Sequence, residues 1–363
     1  MELITIELRP RLQSCTVFLF MKNSTTLNEI KIKLLEGNIM LSIGNNVTYI
    51  TLPNIKIIPT SLSSLNVKDK WVYFRLNTQP SDSEFGSFQR EVITNAKSQI
   101  NNIENTKKIL LKNSKSMILC KCCKNVLSKE ITFQRVLPFP NIDFDPSEWF
   151  CSKTDINLSS LLHPNELDIF YGPFFAIVHS NILYNYRQME KDILCNRCLL
   201  NIGIQDKNNS FKLWDCCIDY NLKTDNIIIQ EASNPLDDFI LIIKNFIKNN
   251  TFGEIILQCL LANQSHYMVI KPMDMRLRIL TEENVKSTDD NNITLKQSFV
   301  IKVLYKYVTD KMILSEDYIN TKNYEVSLFM IEAGLDYLLL STKRFPKHYK
   351  TVEDYYIGYI NVE

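Results

Sequence analysis

Two Cys-x-x-Cys pairs, Cys120/Cys123 in ILCKCCKNVL and Cys195/Cys198 in ILCNRCLLNIG, are the residues whose type and spacing point most directly to chemistry. Each pair sets two thiols across one tight turn, which is half of a tetrahedral site for a borderline-soft metal ion. With 71 residues between Cys123 and Cys195, neither pair closes such a site alone. Together they supply the four thiolates that a structural Zn²⁺ prefers. A catalytic zinc keeps one position open for water, and four thiolates leave none open. The spacing therefore predicts one structural zinc on Cys120, Cys123, Cys195 and Cys198, tying two distant stretches of chain together. Cys122 adjoins Cys123 and complicates the register; symmetry with the second pair favours Cys120 and Cys123 as ligands and leaves Cys122 spare.

The remaining reactive side chains are less organised. Cys151, in the proline- and acid-flanked DPSEWFCSKTD, is either an exposed thiol that reacts or reaches a partner's metal, or a small hydrophobe buried in a core. Cys216 and Cys217 lie in FKLWDCCIDY, which reads as extended. Neighbours in a strand point to opposite faces, so at most one of them enters a core built on a single face. None of His163, His179, His266 and His348 is spaced with a glutamate or a second histidine as a metalloprotease helix requires, and hydrogen bonding or packing suits His163 and His179. No GxSxG elbow and no papain-like CGSCW stretch is present. The 8 glycines fall into neither GxGxxG nor GxxxxGK[ST] order, so a phosphate-cradling loop is missing.

Composition narrows the setting for these residues. The chain has 363 residues, 45% of them hydrophobic, which is enough for one large or two to three ordinary globular domains. Lys+Arg 41 against Asp+Glu 40 gives a net charge of +1, a balance with no overall field to attract nucleic acid or an anionic membrane. The start, MELITIELRPRLQ, lacks the ordered regions of a secretory leader, so a cytoplasmic or nuclear location is expected. Reducing surroundings favour metal ligation over disulfides for ten cysteines. No apolar run approaches the ~18 residues of a membrane span.

The elements that must position the cysteines read as a β-rich α+β protein. Residues 1–78 hold β-branched and aromatic runs split by Gly-Asn, Asn-Asn and Ser-rich breaks, predicting an antiparallel β domain. Residues 79–115 turn polar, with Phe88, Val92, Ala96, Ile100 and Ile103 at helical steps, and form either a thin helix or a linker. Residues 116–205 carry both cysteine pairs and a proline cluster, the signature of a loop-rich region stapled by zinc. Residues 206–363 mix strands and helices. Asn234-Pro235 opens a helix with Phe239, Ile242, Ile243, Phe246 and Ile247 on one face. Ser298–Val308 is a strand with Phe299, Ile301, Val303, Tyr305 and Tyr307 on one side, Ala333–Ser341 is helical, and YYIGYINV is a closing strand.

Read in order, CxxC at Cys120, RVLPFP at Arg135–Pro140, EWFC ending at Cys151, LLHPNELD with a following GPFF, CNRC with its IG, and IKVLY form a familiar series. From about residue 116 onward the chain resembles the HECT-like ubiquitin-protein ligase family, whose members bind ubiquitin-conjugating enzymes. The resemblance implies that the protein recruits such an enzyme and passes ubiquitin to a substrate, through a cysteine thioester if the comparison is literal, with Cys151 as the candidate thiol. The alternative it implies is a non-catalytic binding factor, chaperone or inhibitor of the zinc endonuclease of mRNA 3′-end cleavage and polyadenylation. In that second role residues 135–166 are the docking segment, with Cys151 reaching the nuclease metal, and the candidate partner-binding residues are Arg135, Pro138, Pro140, Trp149, Phe150, Cys151, His163 and Pro164. One departure matters. A HECT ligase keeps its nucleophile in a Leu-Pro-x-Ala-x-Thr-Cys stretch near the C-terminus, whereas the best-matching stretch here, FMIEAGLDYLLL, has no cysteine, and none follows Cys259.

Overall fold

Alternating β-branched and aromatic residues carry the chain through seven short strands: β1 (Leu3–Arg9), β2 (Ser14–Phe20), β3 (Ile30–Leu34), β4 (Asn38–Ile43), β5 (Asn46–Thr51), β6 (Ser63–Lys68) and β7 (Trp71–Asn77). The structure, a computed structural model, describes residues 1–79, 114–139, 163–206, 209–223, 227–249, 253–261, 264–282, 292–309 and 321–362. Most of the 79–115 segment therefore lies outside the described residues. The central stretch holds β8 (Lys115–Cys120), β9 (Arg135–Pro138), β10 (Asp168–Tyr171), β11 (Phe175–His179), β12 (Tyr186–Met189), β13 (Asp192–Cys195) and β14 (Asn201–Gln205). Then come β15 (Ser210–Trp214), β16 (Ile218–Lys223), β17 (Ile227–Gln230), helix α1 (Pro235–Asn249), β18 (Glu254–Leu261), β19 (Gln264–Glu282), β20 (Asn292–Val308) and β21 (Thr321–Glu325). Helix α2 (Leu328–Thr342), β22 (Thr351–Val352) and β23 (Tyr355–Asn361) complete the described chain. Among these residues no helix is long and apolar enough to cross a membrane.

The described strands form three sheets, of thirteen, seven and three strands. The largest runs β3-β4-β5-β20-β19-β1-β2-β7-β6, with β18, β21, β22 and β23 attached beside β19 and β20. Its spine is the β19/β20 hairpin. One half of β19 pairs with β18 (Ile270 opposite Ile255) and the other with β1 (Thr281 opposite Thr5). Register shifts between Pro272 and Leu277 bend the hairpin, and Pro272, which has no N–H to donate, sits at that irregularity. The bend lets one hairpin serve two cores. Leu280 and Leu295 pack with Ile4, Ile6, Leu8 and Ile39, whereas Met268, Ile270, Ile301 and Tyr305 pack with the helices and the strands that bear the cysteines.

Several sequence expectations change here. Hydrogen bonding runs across the boundaries drawn at 78 and 205, because β1 and β5 share a sheet with β19 and β20, and β15 lies inside the seven-stranded sheet. In the region expected to be loop-rich, the described residues alternate short strands with turns and loops: the seven-stranded sheet runs β12-β13-β14-β15-β11-β10-β9, and β8 joins β16 and β17 in the third sheet. FKLWDCCIDY is not one extended run. It turns at Asp215–Cys217 between β15 and β16, and a turn, unlike a strand, directs both Cys216 and Cys217 into the core. β20 is buried on both sides rather than one, since Lys302 and Lys306 on its second face are tucked away in ion pairs with Glu7 (2.6 Å) and Asp354 (2.9 Å).

The helices follow their sequence signals more closely. The Asn234 side-chain oxygen accepts a hydrogen bond from the Leu236 N–H (3.0 Å) at the start of α1, and Phe239, Ile242, Ile243, Phe246 and Ile247 are buried. Helix α2 begins earlier than expected, because the Ser327 hydroxyl accepts from the Met330 N–H (3.3 Å) and caps it there. The two helices touch through Gly334, where a Cβ would stand 2.5 Å from the Phe239 ring. Gly334→Ala is expected to lower stability in urea unfolding by about 1–3 kcal/mol through overpacking, reversing the ~1 kcal/mol by which alanine normally improves a helix over glycine. Unchanged or higher stability would show that this helix contact yields freely.

Candidate metal centre and its neighbouring sheet edge

Each cysteine pair sits where a strand ends. β8 delivers Cys120 and β13 delivers Cys195, and both chains then reverse through the same hydrogen-bond pattern. Lys124 and Leu199, four residues on, adopt left-handed backbone (φ 56° and 61°). Their N–H groups donate to the Cys120 carbonyl (2.8 Å) and the Cys195 carbonyl (2.9 Å). The Cys120 and Cys195 N–H groups in turn donate to the Asn125 carbonyl (2.8 Å) and the Leu200 carbonyl (2.9 Å). This turn aims backbone N–H groups at the first sulfur of each pair: those of Cys123 and Cys122 at Cys120, and those of Cys198 and Arg197 at Cys195. Donors so placed favour thiolate over thiol.

The two turns face each other. Cys120 Sγ lies 3.6 Å from Cys198 Sγ, Cys123 Sγ lies 3.6 Å from Cys195 Sγ, and all four sulfurs fall within 4.8 Å of one another. A disulfide needs about 2.05 Å, so these are four free thiols. A tetrahedron with metal–sulfur bonds of about 2.3 Å has edges near 3.8 Å, and the cluster therefore fits a four-thiolate metal site. Cys120 and Cys195 are buried, Cys123 and Cys198 half-buried, and Cys122 is exposed outside the cluster. Burial pushes the Cys120 and Cys123 thiols up. Burial also opposes ionisation of Cys195, but the Cys198 and Arg197 N–H groups, the Asn125 amide and the Cys123 thiol outweigh it and bring that thiol down to about 7. A cation would have to displace protons from the other sulfurs, which ties metal affinity to pH.

A set of amides that spacing alone does not reveal braces the cluster. Asn125 Nδ2 donates to Cys195 Sγ (3.6 Å) and to Asn196 Oδ1 (2.9 Å), linking one turn to the other. Asn185 Nδ2 donates to the Val126 carbonyl (2.8 Å), and the Asn196 N–H donates to the Asn185 carbonyl (3.1 Å). The first turn is also fastened to the third sheet, since the Lys121 N–H donates to the Cys217 carbonyl (3.1 Å) and Lys124 pairs with buried Asp219 (2.7 Å).

Between the pairs in sequence, RVLPFP begins as β9, the parallel edge strand beside β10. Arg135 grips Asp168 through Nε (2.8 Å) and Nη2 (2.5 Å), and Asp168 also accepts from the Asn165 N–H (3.0 Å). The guanidinium holds the Asp168 carboxyl below the usual carboxylate range. Pro138 stands on the outer edge, where a missing N–H costs nothing, and Leu137 beside it is exposed. Pro164 is buried, and the His163 Nδ1 is buried with no partner among the described residues. His179 accepts from the Asn181 N–H (3.2 Å) and caps a short turn. Pro140, Trp149, Phe150 and Cys151, the rest of the expected docking segment, lie outside the described residues. The glycines of GPFF and of the IG after CNRC have a packing reason: a Cβ on Gly172 would run into the Phe175 ring, and one on Gly203 would run into the Lys212 carbonyl.

Two outcomes test this geometry. Cys198→Ser should remove most bound metal from protein purified under reducing conditions and lower the melting temperature by roughly 10 °C or more, whereas Cys122→Ser should change neither; metal analysis and calorimetry read both. Arg135→Gln should raise the Asp168 pKa, followed by carboxyl-carbon NMR. In the wild type, where the folded pKa is the depressed one, the stabilisation is present above the unfolded value of about 3.9 and is lost as pH falls through the folded value.

Comparison with known proteins now bears on this arrangement. The family model for HECT-like ubiquitin-conjugating enzyme (E2)-binding proteins matches residues 7–357. A Rattus norvegicus protein described as an E3 ubiquitin-protein ligase is 25% identical over 205 residues, which cover 55% of this chain and 50% of that protein. The alignment thus spans half of that relative's length. No solved structure matches the chain. Since the family match takes in the strands of all three sheets, both helices and all four clustered cysteines, the chain belongs to the HECT-like ubiquitin-conjugating enzyme (E2)-binding family.

Proposed function

We propose that the protein binds a ubiquitin-conjugating enzyme and promotes ubiquitin transfer by holding the charged enzyme in a productive orientation, without a thioester of its own at a HECT-type position. The observation that carries the reading is the E2-binding family match over residues 7–357. Cysteine placement supports the second half. A transthiolation nucleophile must be a thiolate that can reach an incoming thioester carbonyl. The last 104 residues contain no cysteine, and the stretch that best aligns with a HECT nucleophile segment lies in helix α2. Among the described cysteines outside the cluster, Cys15, Cys216, Cys217 and Cys259 are buried, and burial pushes the Cys15 and Cys259 thiols up to about 12. Cys122 is exposed, on the turn that carries two of the clustered sulfurs.

In the same reading the four-cysteine cluster holds one structural Zn²⁺. The donor set supports zinc, since four thiolates in a closed tetrahedral array suit this borderline-soft ion and leave no position for a reacting water. The compartment is cytoplasmic or nuclear, where thiols stay reduced and conjugating enzymes work on their substrates.

The decisive experiment is single-turnover discharge of a panel of ubiquitin-charged conjugating enzymes onto free lysine, with and without the protein. At least one enzyme should discharge faster in its presence, by about tenfold or more if orientation is the mechanism. Non-reducing gels should show no reductant-sensitive ubiquitin adduct on the protein. Absence of binding and of stimulation across the panel would remove the function; an adduct abolished by Cys151→Ser or by Cys122→Ser would replace scaffolding with thioester transfer.

A further inference from the structure

On the largest sheet, the face turned away from the Ile4–Ile6–Leu8 core carries a cleft of about 390 Å³. Three adjacent strands build its floor. Glu7 of β1 stands opposite Thr16 of β2, which stands opposite Arg75 of β7, and one step along the sheet Phe18 stands opposite Tyr73. The segment after α2 forms a wall, with Tyr349 edge-on to both Phe18 (5.5 Å) and Tyr73 (5.3 Å).

Charge in this cleft is out of balance. Its one lining carboxylate, Glu7, is already engaged: Oε1 accepts from Lys302 Nζ (2.6 Å) and from the Tyr359 hydroxyl (2.7 Å), and Oε2 meets Arg9 only at 3.7 Å. Arg75 gives one bond to the Ser14 hydroxyl (3.1 Å) and otherwise faces solvent. Three cations therefore line the cleft against one anion, and two guanidinium forks are left with capacity for bidentate acceptors. The rim carries a second, independent sign. β6 is the edge strand, its pairing with β7 slips between Ser63 and Asn66, and Ser64 within that bulge lines the cleft with left-handed backbone (φ 53°). Left-handed backbone costs a non-glycine residue energy, and bulges of this kind re-aim side chains beside binding sites.

We infer that this cleft is a recognition site for a short acidic peptide segment, in which carboxylates engage Arg9 and Arg75 and a neighbouring aromatic or aliphatic side chain packs against the exposed ring of Tyr349. The volume accommodates a few side chains rather than a globular surface. The exposed ring of Tyr349 beside the two guanidinium groups favours a peptide over a bare anion, because free phosphate would leave that apolar surface facing water. Carboxylate geometry matches the guanidinium fork, and the site needs no contribution from the cysteine cluster or from a conjugating enzyme.

The test uses the full chain and a fluorescein-labelled, acetylated hexapeptide alternating glutamate and phenylalanine, with its glutamine counterpart and inorganic phosphate as comparators. Fluorescence anisotropy should show saturable binding that weakens with added salt. The Arg9→Ala/Arg75→Ala double variant should bind at least about tenfold more weakly, while its melting curve and metal content match wild type because both side chains are solvent-facing. The glutamine peptide should lose affinity by a comparable factor. No saturable binding, an unaffected double variant, equal binding of the glutamine peptide, or displacement by phosphate at the concentration at which unlabelled peptide displaces the probe would each overturn the assignment.

Discussion

Four sulfurs can serve one ion only if the ends of β8 and β13 remain within a few ångströms of each other, although these strands belong to different sheets and 71 residues separate the two cysteine pairs. Much of the surrounding structure reads as a consequence of that demand. Cys120 and Cys195 are buried in the same continuous core as Phe133, Trp214, Phe239 and Tyr305, so the cluster lies where the seven-stranded sheet, the three-stranded sheet and the helices meet. Matched backbone turns, the asparagine braces and the Lys124–Asp219 pair all hold the geometry from outside the sulfurs. A cation bound by all four sulfurs would tie the end of β8 directly to the end of β13.

The second organising element is the bent β19/β20 hairpin. It gives each half of the molecule its own apolar core while keeping both in one hydrogen-bonded sheet, and the buried Glu7–Lys302–Tyr359 group fastens β1 to β20 and β23 across the bend. Buried charges of this sort add little net stability, but each would be costly to strand alone, and they therefore fix register more than they add strength.

What could be read from the sequence tracks how local the responsible physics is. The CxxC spacing, the Asn234-Pro235 helix start and the amphipathic face of α1 were legible because each depends on residues a few positions apart. The β-rich character was legible for the same reason. What escaped was non-local. Nothing in strand patterning says that β1 will pair with β19 from far along the chain, since period-two alternation names a face and not a partner. The prolines around RVLPFP suggested loops, but an edge strand tolerates proline as readily as a loop does. The second buried face of β20 was hidden because Lys302 and Lys306 look solvent-facing until Glu7 and Asp354 arrive from elsewhere in the chain. The asparagines that brace the cluster carry no signal in so asparagine-rich a sequence, and Gly172 and Gly203 disclose their purpose only through the atoms that crowd them.

The central claim is that one zinc in a closed four-thiolate site joins the two smaller sheets of this protein. X-ray absorption at the zinc edge, on protein purified under reducing conditions, tests it most directly. The account predicts one zinc per chain with four sulfur neighbours at about 2.3 Å and no light-atom ligand in direct coordination. Substoichiometric metal, or oxygen or nitrogen bound to it, would contradict the account.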